Sequence, residues 1–202
     1  VIRNDTSQPA AGELKLKCRS DNVEVPDEFA PMTLEVEIKE KEKVLEFTYQ
    51  PGGEVPLWDE FNPVMLKLDL ELSTIAGSTE TRDAQSIRFG MRDFTADYNQ
   101  LKNNGTAIFL RGRLDCANYP LTGYAPMDKA EWLRIYTILQ QWGLNHVRFH
   151  SWCPPKAAFE AADELGLYLQ PELPNKRSGF NAPEDQNAAY RNIDRLDVET
   201  TD

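Results

Sequence analysis

Histidine is nearly absent from this sequence, cysteine is sparse, and neither basic charge nor long apolar runs accumulate. The chain holds two histidines and three cysteines in 202 residues. Cys18, Cys116 and Cys153 lie far apart and are odd in number, which excludes a disulfide framework or a zinc ribbon and allows one pair at most. Buried free thiols are the simpler reading. His146 and His150 sit four apart on what reads as a strand, too far to chelate one ion comfortably, so no metal site is expected. Lysine and arginine (22) are outnumbered by aspartate and glutamate (33), for a net charge of −11. That balance argues against a nucleic-acid or anionic-membrane partner and suits a neutral one. No run of ~18 apolar residues exists, so no membrane insertion is expected. The first ten residues, VIRNDTSQPA, lack a basic-then-apolar leader pattern.

What is present divides into two halves of different period. With 41% hydrophobic and 27% charged residues, the composition suits a globular chain with core enough for one or two domains. The first ~90 residues alternate, as half-buried antiparallel strands do. Leu14, Leu16 and Cys18 share one face, as do Leu34, Val36 and Ile38, and Leu45, Phe47 and Tyr49. In VMLKLDLEL the shared face is Val64, Leu66, Leu68, Leu70 and Leu72. Turn-forming stretches (SDN, QPGGEVP, IAGSTE) separate them. Short strands so punctuated predict an immunoglobulin-like β-sandwich, without the cysteine–tryptophan–cysteine pattern of antibody domains. The run EIKEKEK reads as a solvated face.

The second half predicts β-α-β-α-β, the order of parallel strands with helical crossovers. AIFLRGRLD reads as a strand from Ala107 to Asp115. Asp128 and Glu131 form a capping-box pattern before the stripe Trp132, Ile135, Tyr136, Leu139 and Trp142, which Gly143 ends. NHVRFH is the next strand. Pro154 and Pro155 suit the first turn of a second helix that buries Ala158, Ala161, Ala162 and Leu165, ends at Gly166, and leads to the strand LYLQPE. In parallel α/β structures chemistry gathers at the carboxyl ends of strands. There stand Arg111, Arg113 and Asp115; then Arg148, His150 and Trp152; then Glu172. Val147 and Phe149 are expected to face the helices, with His146, Arg148 and His150 on the other face. An arginine there needs an acid, and Glu172 and Asp115 are the candidates. Arginine, acid, imidazole and indole together describe a pocket for a neutral polyhydroxylated ligand. The same residues also admit a structural Arg148–Glu172 ion pair and a Trp152 that caps the core. A cysteine hydrolase using Cys153 with His150 fails because no glycine turn for an oxyanion precedes it. Asn104-Gly105 lies in an Asn-x-Thr sequon but reads more simply as a tight turn.

A complete (β/α)8 barrel takes ~200 residues, and only about half of the chain follows Thr106. The expectation is therefore a piece of a longer protein, or else a small three-stranded α/β domain.

In order and with sensible spacing, PLWDEFNPVMLKLDLEL, IRFGMRDF, KNNGTAIFLRGRLDCANYP, GLNHVRFHSWCPP and AADELGLYLQPE resemble glycoside hydrolase family 2, the β-galactosidase, β-glucuronidase and β-mannosidase group. The resemblance covers about residues 56 to 175. It implies an immunoglobulin-like β-sandwich over residues 1–93, followed over 94–202 by the first β/α units of an incomplete (β/α)8 barrel. FGMR (residues 89–92) matches the motif closing the sandwich, and LRG (110–112) the end of the first barrel strand. Arg148 matches the family's active-site arginine, Trp152 an aromatic, and Glu172 an acid that in some members binds a metal or the sugar. Two positions depart: Cys116 and Ser151 stand where the family has histidines, and an imidazole appears one residue early, as His150. The implied substrate-binding set is Asp115, Cys116, Arg148, His150, Trp152 and Glu172, with a carbohydrate substrate, no cofactor, and the rest of a parent polypeptide as partner. A periplasmic or extracellular setting fits the family. Its retaining mechanism uses two glutamates ~5 Å apart, one ending the fourth barrel strand and one the seventh; neither strand is expected here. Glu160, Glu164 and Glu172 do not take those roles, so the chain alone is expected to be inactive. The alternative is a non-catalytic carbohydrate-binding or interaction module.

Overall fold

A computed structural model describes residues 1–6, 8–24 and 29–172. It divides into two compact units. One comprises the described residues of Val1–Asp59 with Val64–Asp93; the other comprises Glu60–Pro63 with residues 94–172. The described residues are mostly β, with two helices.

In the first unit, β1 (Ile2–Arg3) pairs antiparallel with β4 (Glu42–Lys43). The larger sheet is antiparallel, in the order β3 (Met32–Ile38), β2 (Ala10–Ser20), β5 (Leu66–Ala76), β6 (Thr79–Phe89). Its register sets Leu14 opposite Leu72, Leu16 opposite Leu70, and Cys18 opposite Leu68, so the alternating apolar positions meet across strands on one face. Leu14, Leu16 and Val36 form one buried cluster there, and Cys18, Phe29, Val64 and Leu66 another. Gly77, at φ 61°, makes the tight turn between β5 and β6 that a side chain would strain. The stretch expected as a strand through Leu45, Phe47 and Tyr49 is not one: residues 44–50 carry no ladder among the described residues. Tyr49 instead donates its hydroxyl to Ala30 O at 2.5 Å, and Ala30 N–H bonds Pro51 O at 2.6 Å, so loop contacts hold this segment. The FGMR segment packs on Trp58. Arg92 stands over the indole at 5.0 Å, and a Cβ on Gly90 would lie 3.1 Å from that side chain, a tight contact.

In the second unit, β7 (Phe94–Asp97), β8 (Gln100–Asn103) and β9 (Thr106–Ile108) form an antiparallel meander. Asn104 and Gly105 turn it with φ of 53° and 77°, the left-handed pair that an Asn-Gly hairpin turn requires. A parallel sheet follows in the order β10 (Gly112–Asp115), β11 (His146–Phe149), β12 (Tyr168–Pro171), connected by α1 (Lys129–Gln141) and α2 (Lys156–Leu165). Asp128 caps α1 by accepting Glu131 N–H at 2.9 Å, and Gly166 closes α2 in the left-handed region. Trp132, Tyr136, Leu139, Val147, Phe149, Ala158, Ala161 and Ala162 form the core between helices and sheet. Truncating its tryptophan should cost about 3–5 kcal/mol.

Two expectations fail here. The strand predicted from Ala107 to Asp115 is two strands, broken at residues 109–111. The side chain of Asn145 occupies the break: it accepts Arg111 N–H at 2.7 Å and donates to Phe109 O at 3.1 Å and to Glu60 Oε2 at 2.7 Å. An amide side chain thus replaces a backbone rung. Trp142, predicted on the buried stripe of α1, is 80% exposed. It is the C-cap residue, at φ −87° and ψ 7°, where the backbone has left the helical path.

Candidate functional site

One face of the parallel sheet packs on the helices. The other carries Gly112, Leu114, His146, Arg148, Tyr168 and Gln170, by the register that pairs Gly112 with His146 and His146 with Tyr168. This face is graded along its length. At the amino ends, Tyr168 is buried, its ring 5.9 Å from that of Phe94, and its hydroxyl accepts from Asn103 Nδ2 at 3.3 Å. His146 lies over Gly112, where a Cβ would come 2.4 Å from its Nδ1. Burial holds its imidazole below the usual range. At the carboxyl ends the face opens: Leu114 is 52% exposed and the Arg148 side chain 46%. Among the described residues of this face, the exposed charged side chain, Arg148, lies at that end.

Four of the six expected site residues meet there. Glu172 Oε1 accepts from Arg148 Nε at 2.5 Å, and its Oε2 accepts the backbone N–H of Ser151 at 2.8 Å. The Ser151 N–H, and then the Arg148 guanidinium, hold the Glu172 carboxyl below its ordinary range. Of the two acids proposed as partners of Arg148, Glu172 is the one it binds. Cys116 Sγ lies 3.8 Å from His150 Nδ1. That proximity joins residues 34 apart, and the sequence reading missed it. The parallel register was the available signal: with Asp115 paired to Phe149, the next pair is Cys116 and His150.

The other two residues lie on the helix side. Asp115 is 5% exposed, and its carboxylate is engaged by Arg113 at 3.0 Å, Ala117 N–H at 2.9 Å and the Tyr119 hydroxyl at 3.2 Å. Burial, then the Asp115 charge, pushes the Tyr119 phenol well above its usual range. Trp152 stacks edge-on with Phe149 at 5.1 Å and with Tyr119 at 6.3 Å, and donates its indole N–H to Asp115 O at 3.1 Å. It caps the core beneath the site. Cys153 is half-buried, and burial raises its thiol.

The strand ends share one construction. Ala117 and Ser151 both hold left-handed backbone, at φ 54° and 62°, an unfavourable state for residues with a Cβ. Each donates its N–H to a nearby carboxylate, Asp115 for Ala117 and Glu172 for Ser151. Two acids thus offset the strain of turning the chain sharply after Cys116 and after His150. Among the described residues, no group of three or more histidine, cysteine, aspartate or glutamate side chains could hold a metal ion, and no helix is long and apolar enough to cross a membrane.

No family model matches the sequence. Two curated β-galactosidases do: that of Lactococcus lactis is 27% identical over 116 residues, 57% of this chain and 11% of its own length. That of Thermoanaerobacterium thermosulfurigenes is 26% identical over 133 residues, 65% of this chain and 18% of its own. Among solved structures, a Bacteroides uniformis β-glucuronidase superimposes with a TM-score of 0.73 at 19% identity, over 95% of this chain and 22% of its own. A Parabacteroides merdae β-glucuronidase gives 0.69 at 19% identity, over 98% and 23%. A glycosyl hydrolase family 2 member from Bacteroides cellulosilyticus gives 0.61 at 19% identity, over 84% and 22%. The chain spans about a fifth of the length of these structures, and less of the first galactosidase.

Proposed function

For a chain with the fold and the sequence likeness of a glycoside hydrolase family 2 segment, we propose a role as part of a retaining glycoside hydrolase acting on oligo- or polysaccharides. In this reading residues 1–93 are its immunoglobulin-like β-sandwich, and residues 94–202 begin its (β/α)8 barrel. The chain supplies walls of the sugar site: Arg148, His150 and Glu172 turn toward the glycan, Cys116 lines its edge, and Asp115 and Trp152 brace them from behind. The carboxyl acid/base and nucleophile, which must stand ~5 Å apart, belong to later strands of the parent protein.

One observation carries this reading. The parallel sheet is covered by helices on one face, while its other face is closed at the amino ends and open at the carboxyl ends, where Arg148, Glu172 and His150 meet. Parallel sheets are normally buried on both faces, and a barrel supplies that burial while leaving its carboxyl mouth for substrate.

The test is Arg148→Ala in the full-length protein, assayed on aryl β-galactosides, β-glucuronides and β-mannosides. A charged hydrogen bond to the sugar is worth about 1.5–3 kcal/mol, so kcat/KM should fall about ten- to a hundredfold with Tm little changed. Unchanged kcat/KM and Tm would sink the assignment of Arg148. Clean turnover by the 202-residue chain alone would refute the absence of the catalytic pair. Glycan binding by the full-length protein without hydrolysis would favour a carbohydrate-binding module.

A further inference from the structure

We propose that Cys116 and His150 form a reactive thiol–imidazole pair, a covalent capture site for soft, uncharged α,β-unsaturated carbonyl compounds. The proposal does not rest on the glycosidase reading. Its basis is the pairing of a nucleophile with a base on adjacent strands, held by main chain on both sides.

Cys116 Sγ and His150 Nδ1 are 3.8 Å apart and exposed, within reach of a sulfur hydrogen bond that shortens as a reaction proceeds. The spacing is set by backbone. His150 N–H bonds Asp115 O at 2.8 Å, extending the ladder one residue past the strand, and the braced left-handed turns at Ala117 and Ser151 follow each partner directly. Arg148 is engaged by Glu172, and Asp115 is spent on the opposite face of the sheet. The Glu172 carboxylate interacts electrostatically with His150, so an imidazolium formed there has an anion beside it. Leu114, on the same face two residues before Cys116 and half exposed, offers apolar contact to a carbon chain.

The step balances without an oxidant or a leaving group. With the ring proton on Nε2, His150 Nδ1 takes the Cys116 thiol proton. The thiolate sulfur bonds the β-carbon of the unsaturated carbonyl, and the C=C electron pair moves onto the carbonyl oxygen as an enolate. The imidazolium then returns the proton to the α-carbon. The product is a thioether on Cys116 and a neutral His150.

The other two thiols serve as internal controls. Cys18 is buried and Cys153 half-buried, and burial raises the pKa of both, which disfavours the thiolate. The experiment is a time course of acrylamide addition to the full-length protein at neutral pH, read at each cysteine by peptide mass spectrometry. Cys116 should react fastest, and His150→Gln should slow it about tenfold or more by removing the positioned base, while leaving Cys153 unaltered. An unchanged Cys116 rate in His150→Gln, or a Cys153 that reacts as fast as Cys116 in the wild type, would overturn the pair.

Discussion

Glu172 holds Ser151 in left-handed backbone: the serine, at φ 62°, donates its N–H to Glu172 Oε2 at 2.8 Å. The same carboxylate binds Arg148, so one acid fixes the backbone after His150 and the guanidinium two residues before it. The turn that aims β11 at the open face is thereby tied to the end of β12.

The order of these two attachments is measurable. The Ser151 N–H is the largest single cause of the lowered Glu172 pKa, and Arg148 adds to it through both its hydrogen bond and its charge. In a carboxyl-carbon NMR titration, Arg148→Ala should therefore move the Glu172 midpoint only part of the way back toward ~4.3. Because the folded value is lowered, the stability Glu172 contributes is complete above the unfolded value and is lost as pH falls through the folded one. Full reversion in Arg148→Ala would mean that the backbone bond contributes nothing.

Asn145 should be costly to truncate. It is 5% exposed, and its amide serves Arg111 N–H, Phe109 O and Glu60 in the gap between β9 and β10. Asn145→Ala removes three hydrogen bonds, each worth about 1 kcal/mol net, so urea unfolding should show a loss of about 3 kcal/mol.

Two glycines should respond differently to alanine. Gly143 and Gly166 both have positive φ, at 74° and 78°. A Cβ on Gly143 meets nothing within 4 Å, whereas one on Gly166 would come 2.6 Å from Glu60 O. Gly143→Ala should cost only the left-handed penalty of about 1–2 kcal/mol. Gly166→Ala adds a clash with backbone that cannot rotate away. Equal losses in thermal unfolding would contradict that crowding.

His146 supplies a pH dependence. Burial lowers its folded pKa, so the unfolded chain takes up a proton first. Stability should be greatest above the unfolded value of about 6.5 and decline as pH falls from there through the folded value. His146→Gln should flatten that part of the stability–pH curve. A wild-type curve level through this range would contradict neutral burial.

Much of this was legible because it is local. Alternation at Leu14, Leu16 and Cys18 and at Leu66 to Leu72 names a buried face from the two-residue period of a strand, wherever that strand ends up. Asp128 and Gly166 mark helix limits because capping acts over three or four residues. Asn104-Gly105 is a turn for the same reason, and the facing of Val147 and Phe149 toward the helices follows from the pleat.

The rest depends on register and on partners far along the chain. Leu45, Phe47 and Tyr49 alternate as a strand does, yet a strand also needs a neighbour, and loop bonds through Ala30 hold that segment instead. The break at 109–111 exists because the Asn145 side chain arrives from another strand end. Trp142 keeps the helical spacing but lies where the helix has stopped. The pairing of Cys116 with His150, and the spending of Asp115 on the helix side rather than on Arg148, were decided when β10 and β11 aligned Asp115 with Phe149. Sequence fixes which side chains can share a face through covalent spacing alone; which of them touch is set by hydrogen-bonded register, which only the folded chain possesses.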